Sequence, residues 1–270
     1  ADSHSRILGI PGVAIVTAGP GVTNSVTAIR NAAFAQSPLV LIGGATATLL
    51  RGRGALQDIN QIELMRPHVK RVLRVTVLNR LVETVKEAFK TASSGVPGPV
   101  FLEFPVDLLY PQDLVTKWYV ESSSVGKTWK SILYRFYLKR YVNRLFRISK
   151  KPDIEQQGTK DISGLKIISH ALTRRLSLAS KPLLLIGSQA VLVPEKIPEL
   201  IRAIEKLCFP VYLSGMARGL LSHNHPLLFR HQRRKALKEA DLIVLGGVPL
   251  DFRLNYGFGI PAKTQLISIN

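Results

Sequence analysis

Cysteine is nearly missing from this polypeptide. Cys208 stands alone among 270 residues, which excludes an intrachain disulfide and any cysteine-based zinc cluster. Between Leu207 and Phe209-Pro210 it reads as a small buried hydrophobe. Acidic residues are scarce too: 18 Asp plus Glu stand against 37 Lys plus Arg, a formal charge of +19. That excess suits an anionic partner such as nucleic acid, a nucleotide-bearing substrate or an acidic membrane surface. No apolar run reaches the roughly 18 residues that a membrane span needs, and no secretory leader opens the chain. Walker loop, nucleophile elbow and HExxH pair are all missing. His223-x-His225 has no third ligand nearby and is not read as a metal site. The first residue is not Met, and residues 1–8 look like the tail of a helix, so the chain is expected to be a piece of a longer parent.

What is present is alternation. With 46% hydrophobic residues the chain can bury a substantial core, and its length suits two domains. Residues 12–18 (GVAIVTA), 38–43 (PLVLIG) and 100–104 (VFLEF) read as buried strands. Residues 22–36, 57–65 and 79–93 read as helices, the last with apolar residues at 82, 85, 88 and 89 in helical register. Thr23 or Asn24 is a possible cap of the first of these. The pattern lapses between 112 and 162 and then restarts. Helices are expected over 165–180, 198–207 and 231–240, and strands over 182–187, 210–214, 241–246 and 265–269. Strands followed by helices at this spacing imply α/β architecture, here two doubly wound parallel-sheet domains covered on both faces. Their expected bounds are 1–111 and 163–270, with a basic connector at 112–162.

The connector is unusual. Residues 117–151 hold ten Lys or Arg and one acidic residue, Glu121, about half of the charge excess. Within it, residues 129–148 (WKSILYRFYLKRYVNRLFRI) mix aromatic, aliphatic and basic side chains. Tyr134, Leu138, Tyr141, Leu145 and Ile148 would share one helical face, with Arg135, Lys139, Arg140, Arg144 and Arg147 beside or opposite it. Such a helix can lie in an anionic membrane interface, or it can dock on its own domain. Nucleic acid is not an expected partner, because no recognition motif accompanies the charge.

The stretch most informative about chemistry is TAGPGVTN at residues 17–24, directly after a buried strand. Gly19 and Gly21 around Pro20 make a tight turn that lets backbone approach a flat ligand. The end of a parallel strand is where α/β proteins commonly bind ligands. Taken alone, Pro20 is also an ordinary turn former, Asn24 a helix cap and Gln57 a surface polar residue. The arginine-rich run RHQRRK at 230–235 reads as a solvated helix start or a phosphate contact.

Read in succession, TAGPGVTN, IRNAAFAQSPLVLIGG, GALQDINQIELMRPHVKRV and SGVPGPVFLEFPVD resemble the pyrimidine-binding domain of a group of thiamine-diphosphate (ThDP) enzymes, the acetolactate synthases and 2-hydroxyacyl-CoA lyases. KPLLLIGSQA, MARGLLSHNHP, ALKEADLIVLGGVPLDFRL and LISIN are similar to the central domain of the same group. The resemblance covers nearly all of the chain outside 112–162. SQAVL, MARGLLSHNHPL and DFRLNYG bring it nearest to the lyase branch.

Carried over residue by residue, the resemblance puts Gly19, Pro20, Gly21 and Asn24 beside the ThDP aminopyrimidine. Gln57 would face the cofactor's reactive side, in a turn that reads Leu56-Gln57-Asp58 where the family has Phe-Gln-Glu. The family's catalytic glutamate precedes the point where this chain begins. Its GDG…N motif, which holds Mg2+ and the diphosphate, follows Asn270 in a third domain. Glu63 and Glu103 match neither, so no catalytic residue is assigned and the chain alone is expected to be inactive. Gly187, Ser188, Gln189, Asp251 and Arg253 resemble part of a nucleotide cleft for FAD or an adenine nucleotide, although Pro249 replaces an arginine of the flavin pattern. For the parent, the resemblance implies a homo-oligomer, dimer or tetramer, at the endoplasmic reticulum membrane. It would cleave a 2-hydroxyacyl-CoA between C1 and C2 into formyl-CoA and a shortened aldehyde. Condensation of 2-oxo acids, and a non-catalytic assembly module, are the alternatives.

Overall fold

A computed structural model describes residues 1–121, 129–147 and 165–269. They belong to two compact units, one of Ala1–Arg6 with Ile10–Glu155 and one of Ile7–Gly9 with Gln156–Asn270.

The first unit runs α1 (Asp2–Leu8), β1 (Gly12–Val16), α2 (Pro20–Phe34), β2 (Leu39–Ala45), α3 (Gln61–Met65), β3 (Arg71–Arg74), α4 (Leu81–Ser93), β4 (Pro99–Pro105), α5 (Gln112–Glu121) and α6 (Trp129–Leu145). Its four strands lie in the order β1-β2-β4-β3, every neighbour parallel. The central strands β2 and β4 are continuous apolar runs because side chains alternate between two faces and both are covered. Leu39, Leu41 and Phe101 meet Val22, Ile29 and Ala32 of α2 and Met65 of α3. Val40 and Val100 point the other way, onto Ala88 and Ala92 of α4.

The expected strands are present with shifts of a residue or two, but three readings need correction. β3 (RVLR) was not expected; it is short, lies at the sheet edge and begins and ends on arginine. The helix expected over 57–65 contracts to Gln61–Met65, leaving Gln57 in a loop. In the stretch from 112 where the pattern was expected to lapse, α5 was not expected; it packs on α6, the helix expected within 129–148, and both belong to the first unit.

A buried carboxylate explains that docking. Asp107, 1% exposed, accepts from the Thr48 backbone N–H (3.1 Å), from the Thr48 hydroxyl and from Tyr119 of α5 (2.8 Å). Tyr141 of α6 donates to Thr48 Oγ1 (2.7 Å). Leu145 packs with Val75, Leu102 and Leu108. The face expected on α6 is therefore the docked one: Leu138 and Leu145 are buried and Tyr141 is bonded, while Tyr134 stays exposed. Ile148 lies outside the described residues.

The second unit contains α7 (Leu165–Leu178), β5 (Pro182–Ile186), α8 (Ile197–Leu207), β6 (Val211–Leu213), α9 (Arg233–Glu239), β7 (Leu242–Gly246) and β8 (Gln265–Ile269). Its strand order is β6-β5-β7-β8, again all parallel. Leu183, Leu185, Ile243 and Leu245 face Leu237 of α9. Leu184, Ile186, Leu242 and Val244 face Ile204 of α8. Cys208 departs from expectation. It ends α8 in the left-handed region (φ 54°), which turns the thiol outward, and it is exposed. Among the described residues no helix is long and apolar enough to cross a membrane.

Candidate functional site

The C-terminal edge of the first sheet carries the residues singled out at 17–24 and 57. α2 starts at Pro20, where the missing N–H is one that a first helical turn leaves unpaired anyway. The N-cap is Gly19, with no side-chain cap, so neither Thr23 nor Asn24 caps this helix. Asn24 sits one turn into it, four residues after Pro20 and on the same face. Thr23 spends its hydroxyl on the Pro20 carbonyl (3.1 Å).

The turn and the Gln57 loop are in contact. Gly19 has φ +62°, and a Cβ there would fall 2.9 Å from Gln57 Cβ and 3.0 Å from its backbone oxygen. Only glycine allows both the conformation and the approach. Gln57 itself is left-handed (φ 66°), an uncommon state for a residue with a side chain. Gly19 is buried, while Pro20, Asn24 and Gln57 expose their side chains. The local structure thus presents three side chains beside one buried turn.

Gln61 holds this arrangement in place. Its side chain is 2% exposed; Oε1 accepts from the Gly19 N–H (2.8 Å) and Nε2 donates to the Gly44 carbonyl near the end of β2 (2.9 Å). The same Nε2 lies 3.4 Å from Glu103 Oε2. Glu103, 1% exposed at the centre of β4, pairs through Oε1 with Arg74 (2.6 Å) and with Arg51. One amide and one carboxylate therefore tie the turn after β1, the end of β2 with the loop that follows it, and the end of β3 to β4. Buried polar groups persist only when bonded in this way. Sequence reasoning passed over Gln61 and assigned Glu103 no role. The available signal was a lone carboxylate inside VFLEF, which demands a cationic partner once the strand is buried. Glu63, the other carboxylate weighed, pairs with Arg66 on the surface of α3 (2.7 Å).

In the second unit the candidate nucleotide residues fall at the ends of β5 and β7, adjacent strands whose connections run to opposite sides of the sheet, the usual place for a ligand crevice. Here the two strand ends pack backbone against backbone. A Cβ on Gly187 would fall 2.3 Å from the Gly247 carbonyl oxygen, and one on Gly247 2.4 Å from the Ala190 nitrogen. Ser188 accepts from the Met216 N–H (3.1 Å), and Gln189 packs beneath Gly247. Asp251 is engaged by Arg253, which donates to it from its backbone N–H (2.9 Å) and from Nε (2.9 Å). Burial works to raise the Asp251 carboxyl, but the hydrogen bonds from Arg253 outweigh it and hold the group below the ordinary carboxylate range. Among the described residues no cluster of three or more His, Cys, Asp or Glu is placed to hold a metal ion.

Two units, each a four-stranded all-parallel sheet with helices, define a chain of the doubly wound α/β class. Residues 1–64 match the N-terminal TPP binding domain of thiamine pyrophosphate enzymes, and residues 169–270 match their central domain. The chain belongs to this family. Over its whole length it is 48% identical to 2-hydroxyacyl-CoA lyase 2 of Caenorhabditis elegans and 44% identical to 2-hydroxyacyl-CoA lyase 2 of Homo sapiens, spanning 42% and 43% of those proteins. Over 99% of its length it is 31% identical to the acetolactate synthase large subunit IlvG of Mycobacterium tuberculosis, spanning 43% of it. The chain therefore spans less than half the length of these relatives.

Proposed function

We propose that this chain is the pyrimidine-side and central portion of a ThDP-dependent carbon–carbon lyase acting on 2-hydroxyacyl-CoA. The observation that carries the reading is the contact of the Gly19–Gly21 turn with the Gln57 loop, fixed from below by Gln61. It leaves Pro20, Asn24 and Gln57 along one rim of the sheet, with the mix of apolar and amide surface that a flat aminopyrimidine requires. When bound, ThDP supplies the carbanion chemistry that breaks the bond between C1 and C2. The chain's own residues bind and orient. Pro20 offers a rigid apolar edge, and the Asn24 and Gln57 amides supply donors and acceptors for ring nitrogens. Gln61 keeps the turn from moving toward or away from the ring.

In this reading the substrate R–CH(OH)–CO–SCoA yields R–CHO and formyl-CoA, with all atoms conserved, a step that belongs to fatty acid α-oxidation. Mg2+ and the diphosphate are assigned to residues outside this chain, as is the catalytic glutamate, so these 270 residues alone are inactive. The parent is read as a homo-oligomer at the endoplasmic reticulum membrane, with the pyrimidine side of one subunit meeting the diphosphate side of another. The 48% and 44% identity to proteins named as lyases, against 31% to one named as acetolactate synthase, supports cleavage over condensation. An FAD or adenine nucleotide on the second unit has less support, since Asp251 and Arg253 are satisfied by each other and Pro249 removes a cation. The test is the full-length protein supplied with ThDP, Mg2+ and a 2-hydroxyacyl-CoA. Formyl-CoA and an aldehyde shortened by one carbon are the expected products. Acetolactate from pyruvate, with no cleavage of the thioester substrate, would overturn the reading.

A further inference from the structure

Docking of α6 leaves a second apolar face that the first unit does not cover. A helix advances about 100° per residue, so Leu138, Val142 and Leu145, all buried, define the inner side. Opposite it lie Trp129, Leu133 and Phe136, with Ile132 and Tyr137 on the two flanks of that outer side, each of the five between 54% and 66% exposed. Further along the same outer side lie Arg140, Asn143 and Arg144, all exposed, with Asn143 accepting from Gln112 of α5 (2.8 Å). Lys130 and Lys139 flank the stripe, with the Lys130 ammonium 5.8 Å from the Trp129 ring centroid. Among the described residues no ion pair engages Lys130, Lys139, Arg140 or Arg144. The outer stripe is thus apolar for two turns and cationic for the next two.

We propose that this outer face of α6 is an interfacial anchor that seats on an anionic phospholipid surface. Trp and Tyr rings favour the headgroup boundary, and Ile132, Leu133 and Phe136 supply apolar area that inserts just below it. Arg140 and Arg144 then lie level with the lipid phosphates, where each basic residue adds attraction to an anionic leaflet. Charge selects this occupant over a second copy of the chain, because parallel pairing of two such faces brings four arginines together and antiparallel pairing buries each cationic half against the partner's apolar half. The aliphatic residues select it over nucleic acid, because Ile132 and Leu133 have no flat surface on which to stack a base. The proposal stands on α6 alone and does not depend on the lyase reading.

The 270-residue chain is tested by co-sedimentation with vesicles of phosphatidylcholine carrying about a third phosphatidylserine, a composition with a negative surface potential, and with vesicles of phosphatidylcholine alone. A Trp118→Phe background leaves Trp129 as the only tryptophan, since the chain has two. Binding is expected at least about tenfold tighter to the anionic vesicles, with Trp129 emission moving to shorter wavelength. Ile132→Ser with Leu133→Ser and Phe136→Ser is expected to abolish the emission shift. Arg140→Glu with Arg144→Glu is expected to erase the preference for phosphatidylserine. All five positions face solvent, so unchanged thermal unfolding of each variant confirms that the fold survives. Equal binding to both vesicle types, or binding that neither variant weakens, overturns the proposal. So does self-association that the triple serine variant abolishes without any vesicle binding. Polyanion binding that survives the serine variant, again without vesicle binding, would assign the charge to nucleic acid and also overturn it.

Discussion

The strand ends of the two sheets share a layout and differ in what fills them. After β1 the chain turns at Gly19, and the space behind the turn is occupied by the long side chain of Gln61, leaving Pro20, Asn24 and Gln57 facing outward. After β5 it turns at Gly187, and the space is occupied by the Gly247 carbonyl itself. The first arrangement props a turn open from underneath. The second packs backbone on backbone and engages its nearby charged pair, Asp251 and Arg253, internally. A glycine at the end of a parallel strand therefore marks a presented surface in one unit and close packing in the other.

Substitutions sharpen this contrast. Glu103→Leu removes the anchor of the propped edge and strands Arg51 and Arg74. Both arginines are about a third exposed and reach water, so the expected loss is about 3 kcal/mol, near the lower limit for breaking a buried pair. It should be read as an earlier thermal transition and faster amide exchange in β2 and β4. Gln61→Leu keeps the volume and deletes the bonds to Gly19 and Gly44, at a cost of about 2 kcal/mol from unsatisfied backbone groups. Amide exchange at Gly19 should accelerate more than exchange in the second unit, and equal protection in both would erase the distinction drawn here. Gly187→Ala forces a methyl against the Gly247 carbonyl, with an expected cost of about 1–2 kcal/mol, localised by exchange to β5 and β7.

The smallest effect is electrostatic. The Asp251 carboxyl titrates below the ordinary value of 3.8 in the folded chain. Such a group adds stability above its unfolded value, and that contribution is lost as pH falls through the folded one. The second unit should lose stability below about pH 4, and Asp251→Asn should remove that part of the acid sensitivity. The pair is partly exposed, so solvent screening limits its worth at neutral pH to about 1 kcal/mol or less.

Much of the fold was legible because strands buried on both faces must be apolar without interruption. PLVLIG, VFLEF, PLLLIG and DLIVLG could hardly be anything else in alternation with helices. β3 escaped because its apolar part is two residues long. The turn at Gly19–Gly21 was legible from its glycines and proline, but its association with Gln57 only through family resemblance, since nothing in spacing brings residue 57 to residue 19. Gln61 was missed because a buried amide looks, in a linear string, like any surface glutamine. The docked face of α6 was legible as a stripe, but its destination depended on Asp107, Thr48 and Tyr119, which are distant in sequence. Cys208 was misjudged from its apolar neighbours, because a left-handed helix end reverses which way a side chain points.

The central claim is that Pro20, Asn24 and Gln57 form a cofactor-facing rim rather than an ordinary surface. The most direct measurement is the ThDP dissociation constant of the full-length protein, by calorimetry, for wild type, Asn24→Ala and Gln57→Ala, with thermal unfolding in parallel. Both side chains are exposed, so each variant should keep its stability to within about 0.5 kcal/mol. Each should bind ThDP about tenfold more weakly, as expected for losing a hydrogen bond to a buried ligand. Unchanged ThDP affinity in both, at unchanged stability, would contradict the account.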